Sequence, residues 1–299
     1  MSTSFRVMSV VGVVLLAGGV VAWAADPPAT QVAPTFEPCS TCHDSLSAEF
    51  AGNPHGLNVA RGGALKCESC HGDGTKHIDA GGDTSLIKIP SGDEGARVCL
   101  TCHQGKIDTS VSGHGAHATA GVYCTDCHSI HGAKLAQRAL LKAPSVELCV
   151  SCHSDQLVDF RKPFAHKLEH GGMNKGGMEC TSCHNPHAGK GLKSLKRTTG
   201  GELACVSCHT DVRGPFVFEH VADINGNCMT CHEPHGSVNE KRLIRSSVQQ
   251  LCLECHTGTP GNLGSQPPSL HDLRSPRYQN CTSCHVAIHG SNSSPLLLK

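Results

Sequence analysis

Aromatic residues are scarce in this chain: seven Phe, two Tyr and a single Trp among 299 residues. That is poor filling for a globule of this length, so an ordinary core packed by large side chains is excluded. Net charge is lacking as well, with 25 Lys and Arg against 25 Asp and Glu, and no nucleic-acid partner is expected. Methionine is down to five, and Met1 and Met8 stand at the extreme N-terminus. What the chain has in quantity is Gly (33), Pro (16), His (22) and Cys (20). Such a composition favours loops and short helices, with few strands.

No cysteine stands alone. The twenty fall into ten CxxCH motifs: Cys39 and Cys42, Cys67 and Cys70, Cys99 and Cys102, Cys124 and Cys127, Cys149 and Cys152, Cys180 and Cys183, Cys205 and Cys208, Cys228 and Cys231, Cys252 and Cys255, Cys281 and Cys284. The residue after each pair is His43, His71, His103, His128, His153, His184, His209, His232, His256 and His285 in turn. Zinc knuckles, thioredoxin-like sites and disulfide scaffolds also use CxxC, but none of them requires His next. At this histidine content a neighbour is His by chance about one time in fourteen, so ten of ten is no accident. The motif's chemistry is covalent haem attachment, two thioethers to the porphyrin and the histidine beneath the iron. Ten motifs imply ten c-type haems.

The N-terminus, MSTSFRVMSVVGVVLLAGGVVAWAADPP, has Arg6, an apolar run broken by Gly12, Gly18 and Gly19, and then the small-x-small site Ala22-Trp23-Ala24. That reads as a cleaved export signal over 1–24. A Pro-rich linker, 25–38, precedes a haem-bearing domain over 39–299. Cleavage leaves 275 residues, about 27 for each haem, so the haems themselves must form the core. Ser145 and the pair Ser246-Ser247 sit where N-caps would start helices of two or three turns leading into Cys149 and Cys252. The expected fold is therefore a multihaem c-type cytochrome, short α-helices and irregular loops wrapped around ten haems, elongated, with little or no β-sheet. Two propionates per haem would add roughly −10 to the charge when oxidised and about −20 when reduced. Lys142, Arg197 and Arg245, seven or eight residues ahead of a motif, either form a solvated face or pair with propionates.

The surroundings of the motifs alternate, defining five tandem two-haem modules that start near Cys39, Cys99, Cys149, Cys205 and Cys252. In each module the linker after the first motif contains His: His55, His114 or His117, His166 or His170, His220, and His271. A further His follows the second motif: His77, His131, His187, His235 and His289. Two axial ligands must approach one iron from opposite faces, so the His three residues after a proximal one must reach a different haem. The expectation is that it ligates the first haem of its own module while the linker His returns to the second. His77 and His289 depart from the three-residue spacing.

The chain resembles the periplasmic decahaem cytochromes of the MtrA/DmsE type. The resemblance is carried by CESCHGDGTKH, HATAGVYCTDCHSIHG, PFAHK before ECTSCHNPH, FVFEHVADINGNCMTCHEPHG and HDLRSPRYQNCTSCHVAIHGSN. By those motifs His117 and His166 are the ligands, and His114 and His170 are spare.

Irons held by two imidazoles offer no open position to a substrate, so the expected role is electron transfer, not enzymatic catalysis. Met173, Met178 and Met229 are too few for Met ligation and serve packing. No CxxCK motif marks a site of nitrite or hydroxylamine chemistry. The resemblance implies export to the periplasm and insertion in an outer-membrane β-barrel porin that insulates the wire across a hydrocarbon layer of about 30 Å. It would then link periplasmic or inner-membrane cytochromes to an extracellular multihaem cytochrome or mineral such as a metal oxide. The alternative is a soluble periplasmic shuttle feeding a terminal reductase, for example one for a sulfoxide.

Overall fold

The computed structural model describes residues 36–104, 115–131, 138–171, 174–187, 192–220, 227–256, 271 and 275–298. The expected signal, most of the expected linker, Met173 and His114 lie outside them. Regular structure is mostly short helices. The longest, Gly92–His103, has 12 residues and about three turns, and it runs directly into the third motif. Ser145–Val150 and Val248–Leu253 have six residues each, fewer than two turns, and so fall short of the expected length. Ser247 does cap its helix, accepting from the Gln250 amide, but Ser145 is the first helical residue and Pro144 holds the cap position. Proline suits that boundary, because it cannot donate the amide hydrogen that a helix start leaves unpaired.

The motifs share one local geometry. In nine of them the His amide donates to the carbonyl of the first cysteine four residues back, at 2.9–3.0 Å; the tenth lies inside the Gly92–His103 helix. A single turn closed in this way puts the first cysteine and the histidine on one face. After the fourth, sixth and eighth motifs the chain doubles back, pairing His128 with Leu141, His184 with Leu195 and His232 with Leu243. Each return passes through two non-glycine residues in the left-handed region: Ala139 and Leu140, Lys193 and Ser194, Lys241 and Arg242. That conformation costs roughly 1–2 kcal/mol per residue, and it recurs at all three returns.

Among the described residues the one ladder is an antiparallel pair of two-residue strands, Phe164–Ala165 with Gly236–Ser237. It needs glycine at 236, where a Cβ would sit 2.1 Å from the Asp159 carbonyl oxygen. The corresponding contact one module later is a single bridge between Phe218 and Ser291. Buried apolar side chains among the described residues are few, namely Phe36, Leu140, Val146, Leu168 and Leu203. No helix among the described residues is long and apolar enough to cross a membrane.

Candidate metal centres

Twenty histidine rings oppose one another in ten pairs. They are His43 with His77, His55 with His103, His71 with His131, His117 with His153, His128 with His187, His166 with His209, His184 with His235, His220 with His256, His232 with His289 and His271 with His285. Their centroids stand 5.7–6.3 Å apart. A metal–imidazole bond of about 2 Å, with the ring centre roughly 1 Å beyond the nitrogen, predicts just over 6 Å for two rings on opposite sides of one ion. Among the described residues no cluster of three or more His, Cys, Asp or Glu could hold a metal by itself. Two opposed imidazoles without a third protein donor suit an iron whose equatorial positions belong to a porphyrin, and do not suit zinc. The twenty cysteines are free thiols in the structure. A cavity of about 5930 Å³, to whose lining the cysteines and histidines of the first nine motifs contribute, runs beside these rings. That is several times the roughly 300–1,000 Å³ of a site for one small ligand.

The pairing differs from the expectation that ligands stay within a module. His55, from the first module's linker, faces His103 of the second module, not His71. Likewise His117 reaches forward to His153, His166 to His209 and His220 to His256. The histidine after a second motif reaches backward: His131 to His71, His187 to His128, His235 to His184 and His289 to His232. Only the two ends close on themselves, His77 onto His43 and His271 onto His285. The reason is geometric. His128 and His184 leave their helical turns in extended backbone, so a residue three positions on is carried about 10 Å away, towards the preceding module's second site. The first and fifth modules each adjoin one other module of this chain, and the histidine left over in each turns back on its own module. His170 opposes no ring among the described residues and lies instead beside the Glu147 carboxylate.

Second partners fix the tautomer of these rings. Nδ1 of each second-motif histidine donates to a carbonyl further on: His71 to Lys88 (2.8 Å), His128 to Ala139 (2.8 Å), His184 to Lys193 (2.9 Å), His232 to Lys241 (2.8 Å) and His285 to Leu296 (2.6 Å). Three of those acceptors belong to the left-handed residues, whose strain aims the carbonyl at the imidazole. On the other side, His77 donates to Asp83 (2.9 Å), His117 to Pro186 (3.2 Å) and His166 to Pro234 (2.6 Å). A proton held on Nδ1 leaves the Nε2 lone pair for a metal and makes it a stronger donor. Burial pushes His55, His131, His166, His187 and His235 below the usual imidazole range, keeping them neutral and able to ligate.

The motif cysteines place the sites in sequence order. Cys39 meets Cys67, Cys70 faces Cys102, Cys99 meets Cys124, Cys127 faces Cys149, and Cys149 meets Cys180. Cys183 then faces Cys205, Cys205 meets Cys228, and Cys252 interacts with both Cys231 and Cys281. The thiols that meet are hydrogen-bonded: hydrogen bonding from Cys99 draws Cys124 down to about 6, while burial and then Cys39 push Cys67 up to about 11. Lys142 and Arg197 line the cavity. Arg245 is paired with the Glu254 carboxylate at 2.5 Å, so its guanidinium already has an anion. Met178 and Met229 lie along the cavity wall, and neither stands opposite a motif histidine.

Sequence reasoning did not single out Asn53, Phe50 or the left-handed pairs. Phe50 lies against both His55 (6.4 Å between centroids) and His131 (6.2 Å). Its position seven residues after His43 carries no motif that would have marked it.

A family model described as a doubled CXXCH motif matches residues 114–157, 170–214 and 220–261. The chain is 33% identical over 272 residues to the multiheme cytochrome MtrA of Shewanella baltica, an alignment covering 85% of this chain and 78% of that protein. It is 25% identical over 299 residues to the C-type polyheme cytochrome OmcB of Geobacter sulfurreducens, covering 86% of this chain but 36% of that longer protein. Over 96 residues, 31% of this chain and 50% of the relative, it is 31% identical to the cytochrome c-type protein NrfB of Escherichia coli.

Proposed function

The chain belongs to the MtrA-type multihaem c-type cytochromes, electron-transfer proteins, and from that premise we propose that it carries ten haems and conducts electrons across an outer membrane inside a β-barrel partner. The observation that carries this reading is the set of ten opposed histidine pairs arranged in sequence order. Bound at those pairs, haem iron supplies reversible one-electron chemistry. The chain does the rest. Each CxxCH turn would hold one porphyrin through its two thiols and its imidazole, and the opposed histidine would be the second protein donor to that iron, so that substrate would find no place on it. The carbonyls of Ala139, Lys193 and Lys241 hold the Nδ1 protons of His128, His184 and His232 and so leave Nε2 unprotonated. Two imidazoles hold potentials low compared with Met/His ligation.

Export to the periplasm, the barrel and an extracellular acceptor or donor rest on the resemblance and on the number of sites. A carrier confined to one compartment needs few haems; a row of ten suits a protein whose two ends meet different compartments. The test is reconstitution of the cytochrome with its barrel in liposomes enclosing a redox dye, with reductant supplied outside. Dye reduction well above that of barrel-only vesicles is expected. If the rates are equal, or if no barrel co-purifies with the cytochrome, the periplasmic shuttle takes the conduit's place.

A further inference from the structure

The pair His55 and His103 differs from its counterparts. At the equivalent forward-reaching positions His117 donates its ring N–H to the Pro186 carbonyl and His166 to the Pro234 carbonyl, the residue just before His187 and His235 respectively. The corresponding acceptor for His55 is the carbonyl of Ile130, just before His131. Asn53 takes it instead: its Nδ2 donates to Ile130 O at 2.5 Å. The amide orientation is fixed, because Oδ1 accepts from the backbone N–H of His55 (2.9 Å) and of Gly56 (3.1 Å), which leaves only the NH2 to face Ile130. Asn53 is 1% exposed, and His55 Nδ1 is buried without any hydrogen-bond partner. Its ring is also turned. The His55 and His103 planes cross at 77°, against 10–56° in the other nine pairs.

We propose that Asn53 is a positioning residue that withholds an acceptor from His55, so that the haem on Cys99 and Cys102 sits at a more positive potential than its neighbours. Two effects act in the same direction. An imidazole whose N–H has no acceptor is a poorer electron donor and stabilises ferric iron less. Crossed ring planes divide their π-donation between two iron orbitals and leave these nearly degenerate, which again disfavours the ferric state. The nearer the planes lie to perpendicular, the larger the g of the ferric haem in electron paramagnetic resonance, so the pair at 77° should give the largest value, above the pairs at 52–56° and well above the near-parallel ones. The apolar Phe50 ring, stacked on His55 at 11° between planes, keeps water from supplying the missing acceptor. An electron entering the row would rest at the third site, and Asn53 sets how deep that resting place is.

The proposal rests on two-histidine ligation, and the test separates the two ideas. Ten low-spin haems are first established in the wild type by intact mass and spectrum; their absence refutes the ligation itself. The large-g signal is then followed in a redox titration of the wild type, Asn53→Ser and Asn53→Asp. Both replacements keep a side-chain oxygen to cap the helix Pro54–Ala60, and neither can donate the Asn53 amide to Ile130 O. The expected result is that the large-g component, one tenth of the haem, titrates at the positive end in the wild type and moves to lower potential in both variants. The other nine tenths should overlay. An unmoved component overturns the proposal, as does a positive shift. A shift in Asn53→Asp alone reports its added charge and overturns it too.

Discussion

Replacing His131 by Ala tests whether ligands cross between modules. In the structure its ring lies 5.7 Å from that of His71 and 16° from parallel, so the variant should open the second iron and leave the third and fourth alone. The magnitude follows from the count: one site of ten becomes five-coordinate, and about a tenth of the haem turns high-spin and binds carbon monoxide. Nothing nearby would restore the low-spin state. Besides His71, the ring against His131 among the described residues is that of Phe50, at 6.2 Å, and the charged neighbour is Glu49, whose carboxylate is a weak-field ligand. To identify the open iron, haem attachment is removed at one motif at a time in the His131→Ala background. Losing Cys67 and Cys70 should abolish the high-spin signal, since the open iron is then absent. Losing Cys99 and Cys102, the partner that ligation within a module would require, should leave it in place. Magnetic circular dichroism in the near infrared reads both. A high-spin signal that survives loss of Cys67 and Cys70 but vanishes with Cys99 and Cys102 would refute the pairing between modules.

His117→Ala should likewise convert a tenth of the haem, whereas His170→Ala, which removes only a neighbour of Glu147, should leave the visible spectrum unchanged. The mature protein should lack Trp23 and so all tryptophan fluorescence, with a mass of residues 25–299 plus ten haems at about 0.6 kDa each that survives denaturation; fewer haems by intact-mass measurement would contradict the count. Gly236→Ala should destabilise the protein by roughly 1–3 kcal/mol, because its Cβ would press on the Asp159 carbonyl, and thermal denaturation should show it together with a disturbed His166 or His235 site. Glu202 is drawn from 4.5 to about 2 by the Thr198 hydroxyl first, and also by its own backbone and Arg213. Its support for the loop ahead of Cys205 should be complete above about pH 4.5 and lost as pH falls through about 2, a dependence that Glu202→Gln should abolish in an acid titration.

The ten motifs were legible in full, because CxxCH is a local chemical unit that closes within one helical turn. The candidate second ligands were legible as well. Their recurrence at two places per module separated them from ordinary surface histidines, and the opposite-face argument placed His131 away from His128, as its ring stands, against His71. What spacing could not supply was the partner. From His131 the first modular choice is the iron of His103, 28 residues back, whereas the ring it faces is that of His71, 60 residues back. The choice depends on which way an extended three-residue segment points, and that is set by the doubled-back loop whose strained Ala139 carbonyl grips His128. Neither Ala139 nor Lys193 has the glycine or asparagine that would announce a left-handed turn. One sign was visible: His77 follows its motif histidine by six residues instead of three, and it is the histidine that turns back to its own module.

The exchange of ligands makes the repeat interdependent. The second, third and fourth modules each send one histidine forward and one back, so each of their four-residue binding sets depends on chain from a neighbour. A row built in this way could continue indefinitely unless its ends were different, and they are. His77, on the helix Thr75–Asp79, is held by the Asp83 carbonyl and closes the first site. His271 closes the last site, with Tyr278 edge-on against it at 5.3 Å. The two terminal modules therefore close their outermost histidine pairs from within, while every junction between them is tied twice, once by a histidine in each direction. Order along the row is thus enforced by ligand geometry at each step, which accounts for how a chain with so few buried apolar side chains can hold its sites in sequence.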